Sequence, residues 1–325
     1  MRILVIKLSS LGDVLHALPA VAELAEQFSA EVDWAVQPAF APLVRTFSCV
    51  RHVYEVSRPS KPFAYVSAIR GIRRQRYDLV VDFQGLLKSA FVARFAHAAR
   101  RIGPSFAREG SRFFFTELAG KLNKNRHAVD ECFDVLRHLG FPVPDFPRFP
   151  MTVPSIDLDA LAPLSAAGPR IALAPLSRWE SKNWPAEHFS ALLKCLVTDH
   201  HARVYVIGGA SDRSVCADII ADAGVEAANL CGRFSLGDSL GVLAQCEALV
   251  SNDSGPMHMG AALGVKCVVP FGPTLPERTG PYGLNHVILR AGVPCAPCYK
   301  RTCPIGTHVC LRNITPERVE RALFG

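Results

Sequence analysis

A chain of 325 residues is longer than one hydrophobic core usually serves, so its length predicts two domains. Hydrophobic residues make up 49% of the chain and charged residues 20%, which excludes a disordered chain. No window comes near the roughly 18 uncharged apolar residues that a transmembrane helix needs. The formal net charge of +7 suits an acidic partner: a nucleotide, a phospholipid surface or a nucleic acid.

Eleven cysteines, an odd number lying mostly in hydrophobic segments, favour a reducing cytosol over a disulfide framework. Residues 1–7 are too short and too soon polar for a signal peptide, and they are predicted to form the first strand. The first half of the chain then alternates strands and helices, which is typical of βαβ units with a parallel sheet. The predicted strands cover residues 3–8, 32–36, 52–56, 79–83 and 101–103, and the predicted helices cover residues 19–28, 40–47, 65–75, 87–98 and 129–139.

Residues 140–155 carry five prolines and are predicted to form an interdomain linker, because proline fits no regular element there. The second half of the chain repeats the alternation. Its predicted strands cover residues 171–174, 203–207, 228–230, 248–250, 267–269 and 287–289, and its predicted helices cover residues 186–199, 214–223 and 236–246. The fold class is therefore α/β, with two doubly wound, Rossmann-like parallel-sheet domains at 1–155 and 156–325. Ligands of such sheets bind at the carboxyl ends of the strands, so a site is predicted in the cleft between the domains.

Asp13 follows the first predicted strand, near a helix start. One interpretation is a carboxylate that stabilises the helix N-terminus by roughly 0.5–1 kcal/mol. The other is a general base, since a carboxylate at the end of a strand can face the cleft. The next strand–turn–helix, residues 78–89, contains Gly85, which lets the backbone approach the cleft. Its Lys88 either faces an anionic ligand or is a plain lysine at a helix start.

Two basic groups follow in the first half. The first contains Arg58, Lys61, Arg70, Arg73, Arg74 and Arg76, and the second contains Arg94, Arg100, Arg101, Arg108, Arg112, Lys121, Lys124 and Arg126. They form either solvated helix faces or a surface for a polyanion or an anionic membrane. Phe113, Phe114 and Phe115 lie among these charges, and three consecutive aromatic residues cannot share one buried face. No recognised nucleic-acid motif occurs, so nucleic acid is not the predicted partner.

The stretch from residue 246 to residue 272 predicts a phosphate site. A strand at 248–250 leads into the polar turn 251–255, and Pro256 suits the first turn of a helix that ends at Gly264. Met259, Ala262 and Leu263 would form its apolar face. The free N–H groups and the positive end of the helix dipole favour an anion, with His258 as a further donor. An ordinary βα turn is the alternative.

Two further turns follow strands of the second half. Residues 175–185 contain Ser177 and Lys182, and a lysine there would compensate the charge of a bound anion. A lysine in solvent is the alternative. The turn at residues 208–212, which ends at Asp212, is placed to approach a nucleotide.

Four cysteines lie within sixteen residues near the C-terminus: Cys295, Cys298, Cys303 and Cys310. A C-x2-C pair followed by two more cysteines can fold around a tetrahedral Zn or Fe. The later gaps are shorter than in typical zinc ribbons, and a loop with free thiols is the alternative.

Four segments, in this order along the chain, resemble the motifs of the bacterial heptosyltransferases, glycosyltransferase family 9. Residues 7–13 match K-x-S-S-x-G-D, residues 82–89 match D-x-Q-G-L-x-K-S, and residues 253–258 match D-[ST]-G-x-x-H. Residues 175–185 place a small hydroxyl residue and a lysine before Trp-Pro. The resemblance covers nearly the full chain, and the first two motifs are most similar to the branch that adds the first heptose to Kdo of lipid A.

The resemblance implies a GT-B enzyme that transfers heptose from ADP-L-glycero-D-manno-heptose to the Kdo/heptose inner core of lipopolysaccharide, with inversion. Asp13 would be the base, and Lys182 would stabilise the leaving ADP, with no cofactor required for catalysis. The candidate donor-binding residues are Ser177, Lys182, Asp212, Asp253, Ser254, Gly255 and His258. The candidate acceptor-binding residues are Ser10, Gly12, Gln84, Lys88 and Lys61. The acidic acceptor, Kdo-lipid A, implies a cytoplasmic protein held peripherally at the inner membrane.

Two other functions stay open: a protein O-heptosyltransferase, and a non-catalytic module that binds a nucleotide sugar or a lipid. A mere binder needs neither Asp13 as a base nor Lys182 at a leaving group. The chain departs from the family at Pro256, Met257 and Arg178, which bears on the acceptor more than on the donor. Cysteine clusters similar to the one here occur in part of the family, including iron-binding autotransporter heptosyltransferases, which is consistent with a structural Zn or Fe.

Overall fold

The computed structural model describes residues 1–57, 60–121, 123 and 125–325. The chain divides into two compact units, Met1–Thr152 and Val153–Gly325. The predicted boundary, after residue 155, lies just inside the second unit. Residues 141–150 contain no helix or strand, in agreement with the prediction from their prolines. Among the described residues, no helix has both the length and the apolar character needed to cross a bilayer.

The first unit is a six-stranded parallel sheet with helices on both faces, in the strand order β3-β2-β1-β4-β5-β6. Its strands are β1 (Arg2–Ile6), β2 (Glu31–Val36), β3 (Val50–Glu55), β4 (Leu79–Asp82), β5 (Arg100–Pro104) and β6 (Glu117–Ala119). Its helices are α1 (Leu11–Gln27), α2 (Ala41–Val44), α3 (Pro62–Arg73), α4 (Leu87–Phe95), α5 (Ala128–Cys132) and α6 (Asp134–His138), with 3-10 turns at Pro38–Phe40 and Ser111–Phe114.

The second unit repeats this design with the strand order β12-β11-β10-β7-β8-β9. Its strands are β7 (Arg170–Ala174), β8 (Arg203–Val206), β9 (Ala228–Asn229), β10 (Ala248–Ser251), β11 (Lys266–Pro270) and β12 (Val287–Leu289). Its helices are α7 (Leu158–Leu161), α8 (Ala186–Thr198), α9 (Arg213–Ala223), α10 (Leu236–Leu243), α11 (Gly255–Ala262), α12 (Pro276–Thr279), α13 (Val309–Arg312) and α14 (Pro316–Phe324), with 3-10 turns at Glu180–Lys182 and Ala210–Asp212.

The strand order in both sheets reverses at one point, between β1 and β4 in the first unit and between β7 and β10 in the second. Chains that leave neighbouring strands toward opposite sides open a crevice there, where such sheets bind their ligands. The four family-like motifs follow β1, β4, β7 and β10. The prediction of two doubly wound parallel α/β domains is confirmed, and each domain carries two of the motifs at its switch point.

The first helix begins eight residues earlier than predicted, at Leu11 instead of residue 19. The prediction placed Pro19 in the first turn, where proline is favoured, but Pro19 lies inside the helix. Ser10 and Asp13 form the capping pair that starts α1, and most of the helix is buried. Burial of this face outweighs the cost of an internal proline. Strand β6 and the C-terminal helix α14 were not predicted from the sequence.

Helices α3 and α4 lie against one face of the first sheet, where Ile72 of α3 and Val92 of α4 pack on Leu4 and Val80 in the same core. The helices α1, α5 and α6 pack against one another. The core of the second unit is built around Trp184, Phe189 and the strands β7, β8 and β10.

Candidate active site

Asp13 lies in the first turn of α1, directly after β1. The backbone N–H and the hydroxyl of Ser10 both donate to Asp13 Oδ2, at 3.0 and 2.7 Å. The other carboxylate oxygen, Oδ1, lies 4.0 Å from Nζ of the buried Lys7. The Asp13 side chain is 46% exposed. The carboxylate is therefore fixed on one side and accessible on the other. Its position at the start of α1 confirms the helix-capping interpretation, and its role as a general base stays a prediction.

The pKa of Asp13 is lowered to about 2. Desolvation acts to raise the pKa, but the charges of Lys7 and His16 and the hydrogen bonds from Ser10 outweigh it. The carboxylate is therefore ionised throughout the range in which proteins are usually folded. In the sequence Lys7 is recognisable only as part of a motif, and its position beside Asp13 is a finding of the structure.

The turn after β4 is joined to the turn after β1. Oε1 of Gln84 accepts hydrogen bonds from the backbone N–H groups of Leu8 and Ser9, both at 3.1 Å. Nζ of Lys7 donates to the carbonyl oxygen of Phe83 at 2.8 Å. Gly85 adopts φ +65°, and a Cβ atom there would lie 2.7 Å from Pro104 Cγ, so only glycine fits without a shift. Gln84 thus holds together the two turns that carry the candidate acceptor-binding residues.

The remaining candidates of the first unit lie at helix starts. Gly12 is buried in the first turn of α1. Lys88 lies in the first turn of α4 and is half-buried, whereas Lys61 precedes α3 and is exposed. Two members of the basic groups, Arg58 and Lys124, lie outside the described residues. The structure therefore brings Ser10, Asp13 and Gln84 together, and among the described residues no contact joins Lys61 to them.

Asp82 ends β4 under this turn and is buried. Its Oδ1 accepts from the backbone N–H groups of Gln84 at 2.6 Å and Gly85 at 3.0 Å. Desolvation raises the pKa of Asp82 to about 6, although these hydrogen bonds act to lower it. No role was predicted for Asp82, because the sequence does not show whether a carboxylate at the end of a strand is buried.

In the second unit, Lys182 and Asp253 form an ion pair. Nζ of Lys182 lies 2.5 Å from Asp253 Oδ2, and Asp253 is only 6% exposed. The hydroxyl of Thr274 donates to the same oxygen at 2.6 Å. Lys182 Nζ also lies 4.8 Å from the centroid of the Trp179 ring. The lysine predicted from the turn after β7 is therefore fixed beside the turn after β10, and a lysine loose in solvent is excluded. No sequence motif indicated that Thr274 would lie at this site.

The turn that carries Lys182 is held by its neighbours. Ser181 is buried; its hydroxyl donates to the Lys300 carbonyl at 2.6 Å, and its N–H donates to the Arg301 carbonyl at 3.1 Å. The N–H of Ser177 donates to Oδ1 of Asn183 at 2.8 Å. The C-terminal segment with the cysteines therefore supports the turn of Lys182 directly.

Helix α11 begins where the phosphate site was predicted. Ser254 is its N-cap residue in extended conformation, Gly255 and Pro256 begin the helix, and no side chain caps it among the contacts of the described residues. His258 lies in the first turn and is partly exposed. The helix ends at Gly264, which adopts φ +75°, as predicted. The N–H groups and the dipole at this end suit an anion, beside the ammonium group that Asp253 holds, and the phosphate site stays a prediction.

The predicted apolar face of α11 is only partly correct. Met259 is buried as expected, but the structure also buries Met257, Gly260 and Ala261, and it leaves Ala262 and Leu263 half-exposed. Gly260 faces β10 closely: a Cβ atom there would lie 2.7 Å from a side-chain carbon of Leu249. The small residues Gly260 and Ala261 allow the helix to lie close to the sheet, so the face that carries them is buried.

Asp212 folds back on its own turn. Its Oδ2 accepts from the N–H of Gly209 at 2.8 Å, and its Oδ1 accepts from the hydroxyl of Ser211 at 3.2 Å. A Cβ atom on Gly208 would lie 2.9 Å from Asp212 Oδ2. In this arrangement Asp212 shapes the turn, and its role toward a donor stays a prediction.

The four C-terminal cysteines line one cavity together with His308 and Ser181. Burial acts to raise the pKa of Cys303, but hydrogen bonds from the backbone N–H groups of residues 305–308 outweigh it and lower the pKa. Desolvation and the neighbouring thiols raise the pKa of Cys310 to about 11. One thiol is thus suited to ionise and another is not.

The distances between possible ligand atoms show whether these cysteines are arranged for a metal ion. In the described part of the chain, only Cys195, His200 and Glu320 bring three ligand atoms within 4.8 Å of one another. In a tetrahedral site with sulphur at about 2.3 Å from the metal, the sulphur atoms lie roughly 4 Å apart. The four C-terminal sulphurs share a cavity but are not gathered at that spacing, so the metal stays a prediction. The other trio is an ion pair between His200 and Glu320 at 2.9 Å, with His200 stacked on Phe324.

Comparisons with known proteins bear on the family to which the chain belongs. The model of the family Glycosyltransferase family 9 (heptosyltransferase) matches residues 65–308. The chain belongs to glycosyltransferase family 9. As a member of this family it is a glycosyltransferase, which confirms the resemblance found in the sequence.

Individual relatives of this family-9 chain cover its full length. It is 32% identical to lipopolysaccharide heptosyltransferase 1 of Pseudomonas aeruginosa, over 100% of this chain and 91% of the relative. The structure of E. coli heptosyltransferase WaaC with ADP has a TM-score of 0.81 and 26% identity, covering 99% of this chain and 98% of that one. WaaC with ADP-2-deoxy-2-fluoro heptose gives a TM-score of 0.76 with the same identity and coverage. The GT-B fold class predicted from the motifs is confirmed.

Proposed function

We propose that this family-9 glycosyltransferase transfers heptose from ADP-L-glycero-D-manno-heptose to the Kdo/heptose inner core of lipopolysaccharide, with inversion at the anomeric carbon. The observation that carries the proposal is the pairing of Lys182 with Asp253 beside the free N-terminus of α11, which suits a diphosphate. The relatives that are heptosyltransferases, one of them solved with ADP and with an ADP-heptose analogue, support the same donor and the lipopolysaccharide core.

Asp13 acts as the general base of the first unit. A carboxylate with a pKa of about 2 cannot remove a proton from a sugar hydroxyl ahead of the reaction, because the hydroxyl is far less acidic. The proton therefore moves to Asp13 while the new C–O bond forms. The oxygen of the hydroxyl attacks the anomeric carbon, the bond to the ADP oxygen breaks on the opposite side, and the configuration inverts.

The second unit stabilises the leaving ADP. Asp253 and Thr274 fix the ammonium group of Lys182 before the nucleotide arrives, so little reorganisation accompanies the reaction. The N–H groups at the start of α11 and His258 supply further donors to the diphosphate. The two motifs of the first unit thereby present the acceptor, and the two motifs of the second unit hold the donor.

The acceptor is the acidic Kdo-lipid A, and the enzyme works at the cytoplasmic face of the inner membrane as a peripheral protein. Lys88, at the start of α4, and Lys61, before α3, place positive charge on the acceptor-binding unit. The basic character of the chain, with a net charge of +7, suits this acceptor.

The direct test combines the purified chain with ADP-heptose and Kdo-lipid A and detects the product by mass spectrometry. One added heptose per acceptor, with the inverted anomer by NMR, is the expected result. Lipopolysaccharide from a deletion strain should lack the same heptose. Transfer to a protein and not to Kdo-lipid A would replace the proposal with a protein O-heptosyltransferase, and binding of ADP-heptose without transfer to either would leave a binding module.

The lowered pKa of Asp13 predicts the pH profile of kcat/KM. A depressed acid stays ionised as the pH falls, until the pH nears about 2, so no acid limb from Asp13 should appear above pH 4, roughly two units higher. Lys7→Met removes the main charge that lowers this pKa, and the acid limb should move to higher pH. The control Lys194→Met changes an exposed lysine on α8. Superimposable profiles of the Lys7→Met variant and the wild-type enzyme would contradict the role of Lys7.

A metal at the four cysteines would appear on purification as close to one Zn or Fe per chain. Cys298→Ser should then remove the metal and lower the melting temperature, because structural metal binding is coupled to folding. Cys49→Ser, which changes a half-buried cysteine of the other unit, is the control. Metal-free protein of unchanged stability would support free thiols instead.

A further inference from the structure

Positive charge is concentrated in one part of the first unit. Residues 60–116 contain eleven Lys and Arg against three Asp and Glu, a net charge of +8, whereas the whole chain carries +7. One of the three acidic residues, Asp82, is buried. The remainder of the chain is therefore almost neutral, and the basic character of the protein belongs to α3, α4 and the segments that follow them.

Several arginines of this region have no acidic partner. Arg70 and Arg73 on α3 and Arg94 on α4 are exposed, and in the described part of the chain none of them forms an ion pair. Arg100 differs, because its Nε lies 2.8 Å from Glu117 Oε1. A surface that served only solubility would interleave both signs of charge. These guanidinium groups are left available to an external anion.

Large apolar side chains are exposed among these arginines. Phe63 at the start of α3 is 92% exposed, and Phe113 in the turn Ser111–Phe114 is 84% exposed. Phe91 and Phe95 on α4 are also exposed. Single apolar residues on a surface are common, but several phenyl rings within one basic region mark an interaction site. The expectation that Phe113 to Phe115 could not all be buried is confirmed, with Phe113 as the exposed ring.

The exposed residues lie on elements that touch one another. Helix α3 contacts α4, and α4 contacts the turn Ser111–Phe114. The ring centroids of Phe91 and Phe114 are 5.1 Å apart. Both helices turn their other sides, which include Ile72 and Val92, to the core. We call this outer surface the α3–α4 face, formed by Phe63, Phe95, Phe113, Arg70, Arg73 and Arg94.

We propose that the α3–α4 face is the surface by which this protein binds an anionic lipid bilayer. Arginines attract the anionic headgroups, each contributing about fivefold to partitioning, and the phenyl rings enter the boundary between headgroups and acyl chains. A helix face that carries both arginines and phenyl rings can therefore contact the headgroups and the acyl-chain boundary of one leaflet at the same time. The choice of a bilayer over another polyanion rests on the proposed function, whose acceptor is a lipid.

The test is cosedimentation of the full chain with vesicles. Phosphatidylcholine vesicles that contain phosphatidylglycerol should bind the protein, pure phosphatidylcholine vesicles should bind it weakly, and added salt should release it. The triple variant Arg70→Gln, Arg73→Gln, Arg94→Gln should lose about 100-fold in partitioning, and Phe63→Ser with Phe113→Ser about tenfold or more. All are surface changes, so the circular dichroism spectrum and melting temperature should stay those of the wild type.

Matched controls lie on the second unit. Leu284→Ser removes a side chain that is 95% exposed, and Lys194→Gln removes an exposed charge; neither should change vesicle binding. The proposal would be overturned if the wild-type protein does not bind anionic vesicles at low salt. It would also be overturned if the control variants weaken binding as much as the α3–α4 variants do. Binding to DNA, or dimer formation, that depends on these residues in place of vesicle binding would overturn it as well.

The outcome is separable from that of the proposed function. Vesicle binding needs no substrate, so a chain that binds vesicles through this face but transfers no heptose would refute the proposed function alone. A chain that transfers heptose but does not bind vesicles would refute the α3–α4 face alone. With both intact, the triple variant should keep its activity on an acceptor without acyl chains and lose it on acceptor embedded in vesicles.

Discussion

Asp13→Asn is expected to turn over about 10²–10⁴-fold more slowly than the wild-type enzyme, with nearly unchanged affinity for ADP-heptose. Asparagine keeps the size of the side chain and can still accept the hydrogen bonds from Ser10, so α1 should begin as before. It cannot take a proton, and general base catalysis contributes an effect of this size. Steady-state kinetics with Kdo-lipid A, together with calorimetric titration of ADP-heptose, measures both quantities.

The chain supplies a matched control for this variant. Helix α10 begins with the same pair: the hydroxyl of Ser235 lies 2.7 Å from Asp238 Oδ2, as that of Ser10 does from Asp13. Asp238→Asn removes an equivalent charge from a helix start, worth roughly 0.5–1 kcal/mol of stability. Similar losses of stability in both variants, with turnover reduced only in Asp13→Asn, would separate catalysis from capping. Turnover of Asp13→Asn within a fewfold of wild type would show that Asp13 is not the base.

Lys182→Ala should reduce turnover by around 10²-fold or more, because one lost charge-stabilising donor costs about 3 kcal/mol at the transition state. The variant also leaves the buried carboxylate of Asp253 without its cation, beside the incoming diphosphate. If Lys182 supplies the charge that a divalent ion supplies elsewhere, as proposed, activity should survive EDTA. Abolition by EDTA with full rescue by Mg²⁺, and a near-wild-type Lys182→Ala, would overturn this mechanism.

A double-mutant cycle separates the two effects of removing Lys182. Asp253→Asn keeps an acceptor for Thr274 but removes the orphaned charge, so the double variant Lys182→Ala, Asp253→Asn should recover part of the ADP affinity and little of the turnover. His258→Ala should cost less than Lys182→Ala and weaken ADP binding, because the N-terminus of α11 remains. Lys194→Ala, on the exposed side of α8, should leave both quantities unchanged.

Local patterns in the sequence were sufficient to predict two doubly wound parallel sheets, a proline-rich stretch without helix or strand, and the position of the candidate residues in turns after strands. Asp13, Lys182 and Ser254 each follow a strand, and a strand end in a parallel sheet is visible from hydrophobic runs and the turn residues behind them. The start of α1 was misplaced because the proline rule was applied to Pro19, although the capping pair of Ser10 and Asp13 was the better guide to a helix start.

Contacts between distant segments could not be predicted. Nothing local to Thr274 indicates that its hydroxyl meets Asp253, and nothing local to Lys7 indicates that burial places its charge beside Asp13. The spacing of the four cysteines was equally indecisive, since a sequence gap fixes the length of a loop and not the distance between two sulphur atoms. Such residues become visible only when the sheet has brought the strand ends together.

The support that Ser181 receives from Lys300 and Arg301 sets an order of events during synthesis of the chain. The two partners of the hydroxyl bond lie 119 residues apart. At a translation rate of about 5–20 residues per second, the turn of Lys182 waits roughly 6–24 s for the segment that holds it. A nascent chain can therefore complete the turn of Asp13 early, whereas the turn of Lys182 gains these contacts only after Lys300 and Arg301 have left the ribosome.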